Sequence, residues 1–290
     1  MTMMRFAIAA VLFASACNNV AADAQSSASI ALDMTAPRPT AQLVIGDADP
    51  VTAIFDTGAA ASVLRLSYAE RIGVPNQGPA SAHGPNGAPV SGFRTRIDDA
   101  RLGDASFTGA MAVALDIPLP LEGVDAIIGP GVFSGRLVRF DFPAGIAHVV
   151  PRTADNTPSG EATPYHGENT HGRVRRIPAV RVDIPGAPEI VAIADSGSAR
   201  GLLLPLTLAH SLPLSEPLTS GEPVRMVGAQ FPSLTSRING NVRIGPLTIE
   251  NPQVRFADGI GMSVVGMEIL RDAILVLDPA EHRSWLLAAD

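Results

Sequence analysis

The chain has 290 residues, 46% of them apolar and 17% charged, with 27 Gly and 25 Pro, which is enough to bury one large core or two modest ones and too turn-rich for long helices. Its 21 basic residues are all Arg, set against 28 acidic ones for a net charge of −7. Chemistry that needs a lysine amine is therefore excluded, and the charge has the wrong sign for a general nucleic-acid binder. The single cysteine, Cys17, excludes an internal disulfide framework, Cys-clustered zinc and a C-x-x-C redox pair.

At the N-terminus Arg5 precedes the apolar stretch Phe6 to Ala16, about the length of a secretory h-region and short of the ~20 residues that span a bilayer. The pattern predicts export, to the periplasm or the exterior, by one of two routes. Either residues 1–24 are a signal peptide ending in Ala22-Asp23-Ala24, or residues 1–16 are a lipoprotein signal with Cys17 as the acceptor of a lipid anchor to the envelope. That anchor would be the chain's one contact with a membrane. Residues 25–40 are small, polar and Pro-containing, and read as a tether.

From Gln42 onward the chain reads as short β segments. Leu43-Val44-Ile45 and Val51 to Phe55, separated by a Gly-Asp-Ala-Asp-Pro turn, run into Asp56-Thr57-Gly58. Much further on the same unit returns: Ala179 to Ile184 and Ile190 to Ala194, separated by Pro-Gly-Ala-Pro, run into Asp195-Ser196-Gly197. The similarity continues on both sides of these tripeptides. Short helical patterns follow at Leu66 to Ile72 and Leu206 to His210. Gly-rich hairpins come next, at 83–93 and 226–234, then Arg101-Leu102-Gly103 and Arg243-Ile244-Gly245, each opening another hairpin. Ile127-Ile128-Gly129 follows Asp56 at nearly the same spacing as Val264-Val265-Gly266 follows Asp195. Strands at Leu137 to Phe142 and Ile274 to Asp278 close the two units, with Trp285 in the last strand as a core anchor.

Two copies of hydrophobic-hydrophobic-Asp-Thr/Ser-Gly, each with a later hydrophobic-hydrophobic-Gly, resemble the aspartic peptidases of the pepsin and retropepsin superfamily. The resemblance covers residues 41–290. It implies an all-β fold of two homologous retropepsin-like β-barrel lobes, related by a pseudo-twofold axis with a cleft between them. The lobes would be 41–151 and 176–290, joined by a polar linker at 152–175, and the basic cluster Arg173, Arg175 and Arg176 at its end reads as a solvated face. With both aspartates on one chain, a monomer suffices.

The same resemblance gives the residues roles. Asp56 and Asp195 would be the catalytic pair, since one carboxylate can take a proton from water while a neutral carboxyl donates to a peptide carbonyl. Gly58 and Gly197 would permit close approach of the lobes, and the Thr57 and Ser196 hydroxyls would tie the two loops together. Gly84, Gly87 and Gly228 would lend mobility to flaps that close over an extended peptide. The pepsin flap tyrosine is missing, because Tyr68 and Tyr165 both lie outside the flap candidates. His83, His148, His166, His171, His210 and His282 lack metal-ligand spacing, so neither a metal nor another cofactor is expected. The reading is an aspartic endopeptidase acting on peptide or protein substrates. Its rival is a peptide- or ligand-binding protein that keeps the two lobes without hydrolysis.

Overall fold

Alternating apolar and polar residues, broken every few positions by Gly, Pro and Asp, divide the chain into short strands. A computed structural model describes residues 26–80, 82, 83, 89–170, 173–226 and 229–289. The first half contains β1 (Ala28–Ala31), β2 (Thr40–Ile45), β3 (Val51–Phe55), β4 (Ser62–Arg65), α1 (Leu66–Ile72), β5 (Ala82–His83) and β6 (Pro89–Val90). It continues with β7 (Gly92–Ile97), β8 (Ala100–Leu102), β9 (Ala105–Phe107), β10 (Ala110–Leu115), β11 (Val124–Ile128), β12 (Arg136–Asp141) and β13 (Ile146–Pro151). The connection carries β14 (Thr163–Pro164), β15 (His166–Thr170) and β16 (Arg173–Ile177). The second half runs through β17 (Ala179–Asp183), β18 (Ile190–Ala194), β19 (Leu202–Pro205), β20 (Thr219–Met226), β21 (Ala229–Arg237), β22 (Asn241–Ile244) and β23 (Leu247–Glu250). It ends with β24 (Gln253–Ala257), β25 (Ser263–Val265), α2 (Met267–Leu270), β26 (Ala273–Asp278) and β27 (Arg283–Ala288).

The internal repeat is a repeat of topology. The first sheet has the order β7-β10-β4-β11-β3-β2-β8-β9, and the second has β20-β21-β24-β19-β25-β18-β17-β22-β23. Taken strand for strand from β7 and β21, the two orders coincide. The parallel pairs coincide as well: β3 with β11 and β4 with β10 in one lobe, β18 with β25 and β19 with β24 in the other. The protein is therefore an all-β molecule of two lobes with one strand plan used twice.

A third sheet, β1-β13-β12-β26-β27-β14, takes strands from both halves. Its centre is the antiparallel ladder of β12 with β26, with Val138 opposite Leu277 and Phe140 opposite Leu275. Between these two pairs Arg139 stands opposite Val276, and these two are as far apart in the sequence as Ile127 and Val264, so a residue meets its own copy as twofold self-pairing requires. Every residue of β26 is buried, which explains why Ala-Ile-Leu-Val-Leu lacks polar alternation: both faces of this strand are covered. Phe140 carries the packing into the first lobe, with ring centroids 4.6 Å from Phe55 and 5.5 Å from Phe142.

Three expectations need correction. Residues 28–40 are not a tether: β1 pairs with β13, and Ile30 is fully buried. A four-residue edge strand, Ala-Ser-Ile-Ala, contributes one large apolar side chain and leaves almost no trace in composition. The polar linker at 152–175 is also structured. Arg152 binds the buried Asp278 and Glu281, each at 3.1 Å, β14 extends the shared sheet, and the β15–β16 ribbon crosses the boundary set at 175. Finally, the strands expected to close each lobe leave it and join the other lobe's copy. The helical pattern at Leu206 tightens into a 3₁₀ helix over Leu206–Ser211, straight after Pro205. Residues 1–25, and with them the proposed signal and Cys17, lie outside the described residues.

Phe140→Ala should lower the unfolding free energy by about 3–5 kcal/mol, the usual loss for a truncated buried ring. Urea denaturation checks this. A loss below about 1 kcal/mol would mean that the shared sheet does not depend on this ring.

Candidate active site

β3 ends in Phe55, and β18 ends in Ala194; both strands are clamped by a parallel neighbour, so the next residue leaves each sheet at a fixed place. The Asp56 amide donates to the Ile128 carbonyl at 2.9 Å, and the Asp195 amide donates to Val265 at 2.9 Å. These carbonyls belong to the two hydrophobic-hydrophobic-Gly segments, whose role is thereby visible: each extends the parallel ladder by one bond beneath an aspartate. Gly129 passes so close to the Ala59 carbonyl, and Gly266 to the Ser198 and Arg200 carbonyls, that no Cβ fits at either.

The loops are locked to each other by a reciprocal set of hydrogen bonds. The Thr57 amide donates to Ser196 Oγ and the Ser196 amide to Thr57 Oγ1, each at 2.9 Å. Thr57 Oγ1 then donates to the Ala194 carbonyl at 2.6 Å, and Ser196 Oγ to the Phe55 carbonyl at 2.8 Å. Both side chains are fully buried. Each hydroxyl thus acts as donor and acceptor with no spare capacity facing water, which makes the network both rigid and costly to break.

That lock brings Asp56 and Asp195 face to face, half-buried, with a hydrogen bond between their carboxyls. The two glycines allow the approach. A Cβ on Gly58 would sit 2.6 Å from Asp195 Cγ, and one on Gly197 would lie inside the Asp56 carboxyl. The donors are unequal. Asp56 Oδ1 accepts from the Gly58 amide at 2.8 Å, while Asp195 Oδ1 accepts from the Ser198 amide at 3.1 Å. Burial raises the Asp56 carboxyl above the usual range, against the opposing pull of the Asp195 hydrogen bond, the Gly58 and Gly197 amides and the Arg38 charge. Asp195 is pushed well higher, by burial and then by the charge and hydrogen bond of Asp56. Two carboxyls this close cannot both ionise readily, so the pair holds one proton, which belongs to the two together.

Arg38 was hidden inside the expected tether. Its Nε donates to the Gly197 carbonyl at 2.6 Å, which carries a residue ahead of β2 across to the opposite lobe's loop. Burial lowers its pKa, and the charges of Asp195 and Asp56 raise it. The sequence clue was a lone charged residue between Pro37 and Pro39, immediately before the strand pair that delivers Asp56.

The structure therefore brings together Asp56, Thr57, Gly58, Asp195, Ser196 and Gly197. Of the flap candidates, Gly84, Gly87 and Gly228 lie outside the described residues. The strands leading to them form ribbons: Ala82 pairs with Val90 and His83 with Pro89, and Met226 pairs with Ala229 at the end of the longer β20–β21 hairpin. His148 meets Ser29 Oγ at 3.1 Å, and His282 meets Arg176 Nη1 at 3.1 Å; both are part of the structural framework.

Residues 41–131 match the family model described as aspartyl protease. The match spans β2 through Gly129 and so includes the Asp56 loop and its hydrophobic-hydrophobic-Gly partner. The Asp195 loop lies beyond it and is tied to it by the repeated strand order. No curated protein matches the chain.

Thr57→Val should leave the Ser196 amide and the Ala194 carbonyl buried without a partner, at a loss of about 2–4 kcal/mol in urea denaturation; Thr57→Ser should restore most of it. A Val variant as stable as the parent would show that the lock is dispensable. The pair also gives a sign for pH dependence. A carboxyl whose native pKa is raised contributes stability that is fully present below its unfolded value of about 4 and is lost as pH rises through the native value. Asp195→Asn, which cannot ionise, should melt above the parent near neutral pH, with the gap closing as the pH falls below about 4. An unchanged gap across that range would contradict the raised pKa.

Proposed function

We propose that the chain, whose residues 41–131 match the aspartyl protease family model, is an endopeptidase that hydrolyses peptide bonds with a water activated between Asp56 and Asp195. The observation that carries the reading is the unequal carboxyl pair, held face to face by the Thr57–Ser196 lock. Asp56, with the closer amide donor and the Arg38 charge, acts as the carboxylate that takes a proton from water. The water oxygen bonds to the scissile carbonyl carbon, and Asp195 gives its proton to the carbonyl oxygen. The resulting tetrahedral diol collapses as the proton held by Asp56 passes to the departing nitrogen and the C–N bond breaks. A diol proton returns to Asp195, so the pair ends as it began. The substrate is a peptide in extended conformation, the reaction calls for no cofactor, and one chain suffices because it supplies both aspartates. The proposed setting is outside the cytoplasm, a reading supported by the Arg5 and Phe6–Ala16 pattern.

Purified protein incubated with a mixed peptide library from about pH 3 to 8 should yield internal cleavage products, and Asp56→Asn or Asp195→Asn should abolish them. The rate requires a pair that holds a single proton, and both carboxyls are raised. Its optimum should accordingly lie above the range of an isolated carboxylate, with the acid limb set by the pair's first ionisation and the alkaline limb by its second. Cleavage retained by either variant would overturn the assignment. Tight peptide binding by the parent without turnover at any pH would favour the non-hydrolytic reading.

A further inference from the structure

The two halves of the site are alike in backbone and unlike in charge. On the first lobe's approach to its aspartate, Arg38 precedes Pro39 and β2; at the matching place on the second lobe, Ile177 precedes Pro178 and β17, and it is buried. The lobes therefore present a cation beside the pair from one side only. That cation is tethered by a single bond, Nε to the Gly197 carbonyl at 2.6 Å. Among the described residues, no carboxylate lies in ion-pair contact with Arg38. Its Nη atoms make no hydrogen bond to those residues and are not among the sealed-in polar atoms, so that edge of the guanidinium reaches solvent. The neighbouring Arg200 is differently placed, engaged by Glu222 at 2.5 Å and Glu268 at 3.9 Å. Beside the preceding residue, Pro37, the surface has an open depression of about 320 Å³, lined also by Ala199, Met267, Glu268 and Arg271.

We propose that the free Nη edge of Arg38 is a specificity-determining site that binds a carboxylate of the substrate peptide, on one side of the scissile bond only. The Nε bond fixes the plane of the guanidinium and leaves the parallel N–H pair directed outward, the geometry that suits a bidentate carboxylate. Partial burial strengthens such a contact, since fewer waters compete for it. The carboxylate comes from an acidic side chain or from the free carboxyl end of a short peptide; the two share this chemistry and are separated by the test. Assignment of the ligand as a peptide rests on the endopeptidase reading.

The test uses alanine-rich peptides that bear a single Glu, or its isostere Gln, at successive positions, each made with an amidated and with a free carboxyl terminus. They are titrated by fluorescence anisotropy against the full chain carrying Asp195→Asn, and are assayed separately for cleavage by the parent. One register of Glu should bind roughly tenfold tighter than Gln, the scale of a charge-assisted bond. Preference confined to the free terminus would identify that carboxylate as the source. Arg38→Gln should bring the Glu-to-Gln ratio close to one, and Arg38→Lys should retain part of it. A ratio near one in the chain that keeps Arg38, a measurement that needs no substitution at Arg38, overturns the proposal. So does a ratio that Arg38→Gln leaves unchanged. Acid preference without any cleavage would overturn the endopeptidase reading while sustaining this one, and cleavage without acid preference would do the reverse.

Discussion

The structure depends on four hydrogen bonds between two hydroxyls and the backbone across the lobe interface. Thr57 and Ser196 each accept from the other loop's amide and donate to the carbonyl preceding the other loop's aspartate. Since neither residue is exposed, neither can exchange its partner for water without opening the interface. The positions of Phe55 and Ala194 are fixed by the same bonds, and with them the last residues of β3 and β18. Hence the geometry of the carboxyl pair is set by the backbone rather than by the conformations of the aspartate side chains. This is how a few donors can hold two acids close enough to share a proton, an arrangement that opposes stability when either acid loses it.

The duplication is strict where the lock acts and loose elsewhere. Eight strands follow one order in both lobes, yet Phe55 stands where the other lobe has Ala194, and the cluster of Phe55, Phe133, Phe140 and Phe142 has its counterpart in aliphatic side chains such as Leu275 and Leu277. Packing behind the lock thus differs between the lobes even though their buried side chains form one continuous cluster. The hydroxyls and glycines at the interface have no such freedom: Gly58 faces the Asp195 carboxyl, and Gly197 faces that of Asp56.

The lobes and the pair were legible in the sequence because their signals are local and doubled. Val51 to Gly58 and Ile190 to Gly197 each combine a strand, a turn and an acid within a few residues, and the second copy removes the ambiguity of the first. What escaped was non-local. The partner of Arg38 is the Gly197 carbonyl, far along the chain in the other lobe, and a lone arginine among small polar residues has no period to betray it. The strand at Ala28 has the same difficulty, with one large apolar side chain and a partner near Val149. β26 carried a partial signal, since an apolar run without alternation implies cover on both faces, but nothing in that run names β12 as the neighbour. The 3₁₀ helix after Pro205 was read correctly as a turn of helix, and its tighter winding is a detail that so short an apolar spacing does not resolve.

The shared sheet also has a consequence for the order of synthesis. A ribosome releases the first lobe's strands, including Asp56, long before β26, whose ladder with β12 joins Val138 to Leu277 across nearly half the chain. Pairing over such separations is among the slowest steps open to a chain, because closure entropy is lost before contacts form. An emerging polypeptide therefore holds one acid of the pair without the other until well into the second half of its translation. The second acid arrives late, and the sheet that braces the two halves is finished only by some of the last strands made. The carboxyl pair comes into being only once nearly all of the molecule exists.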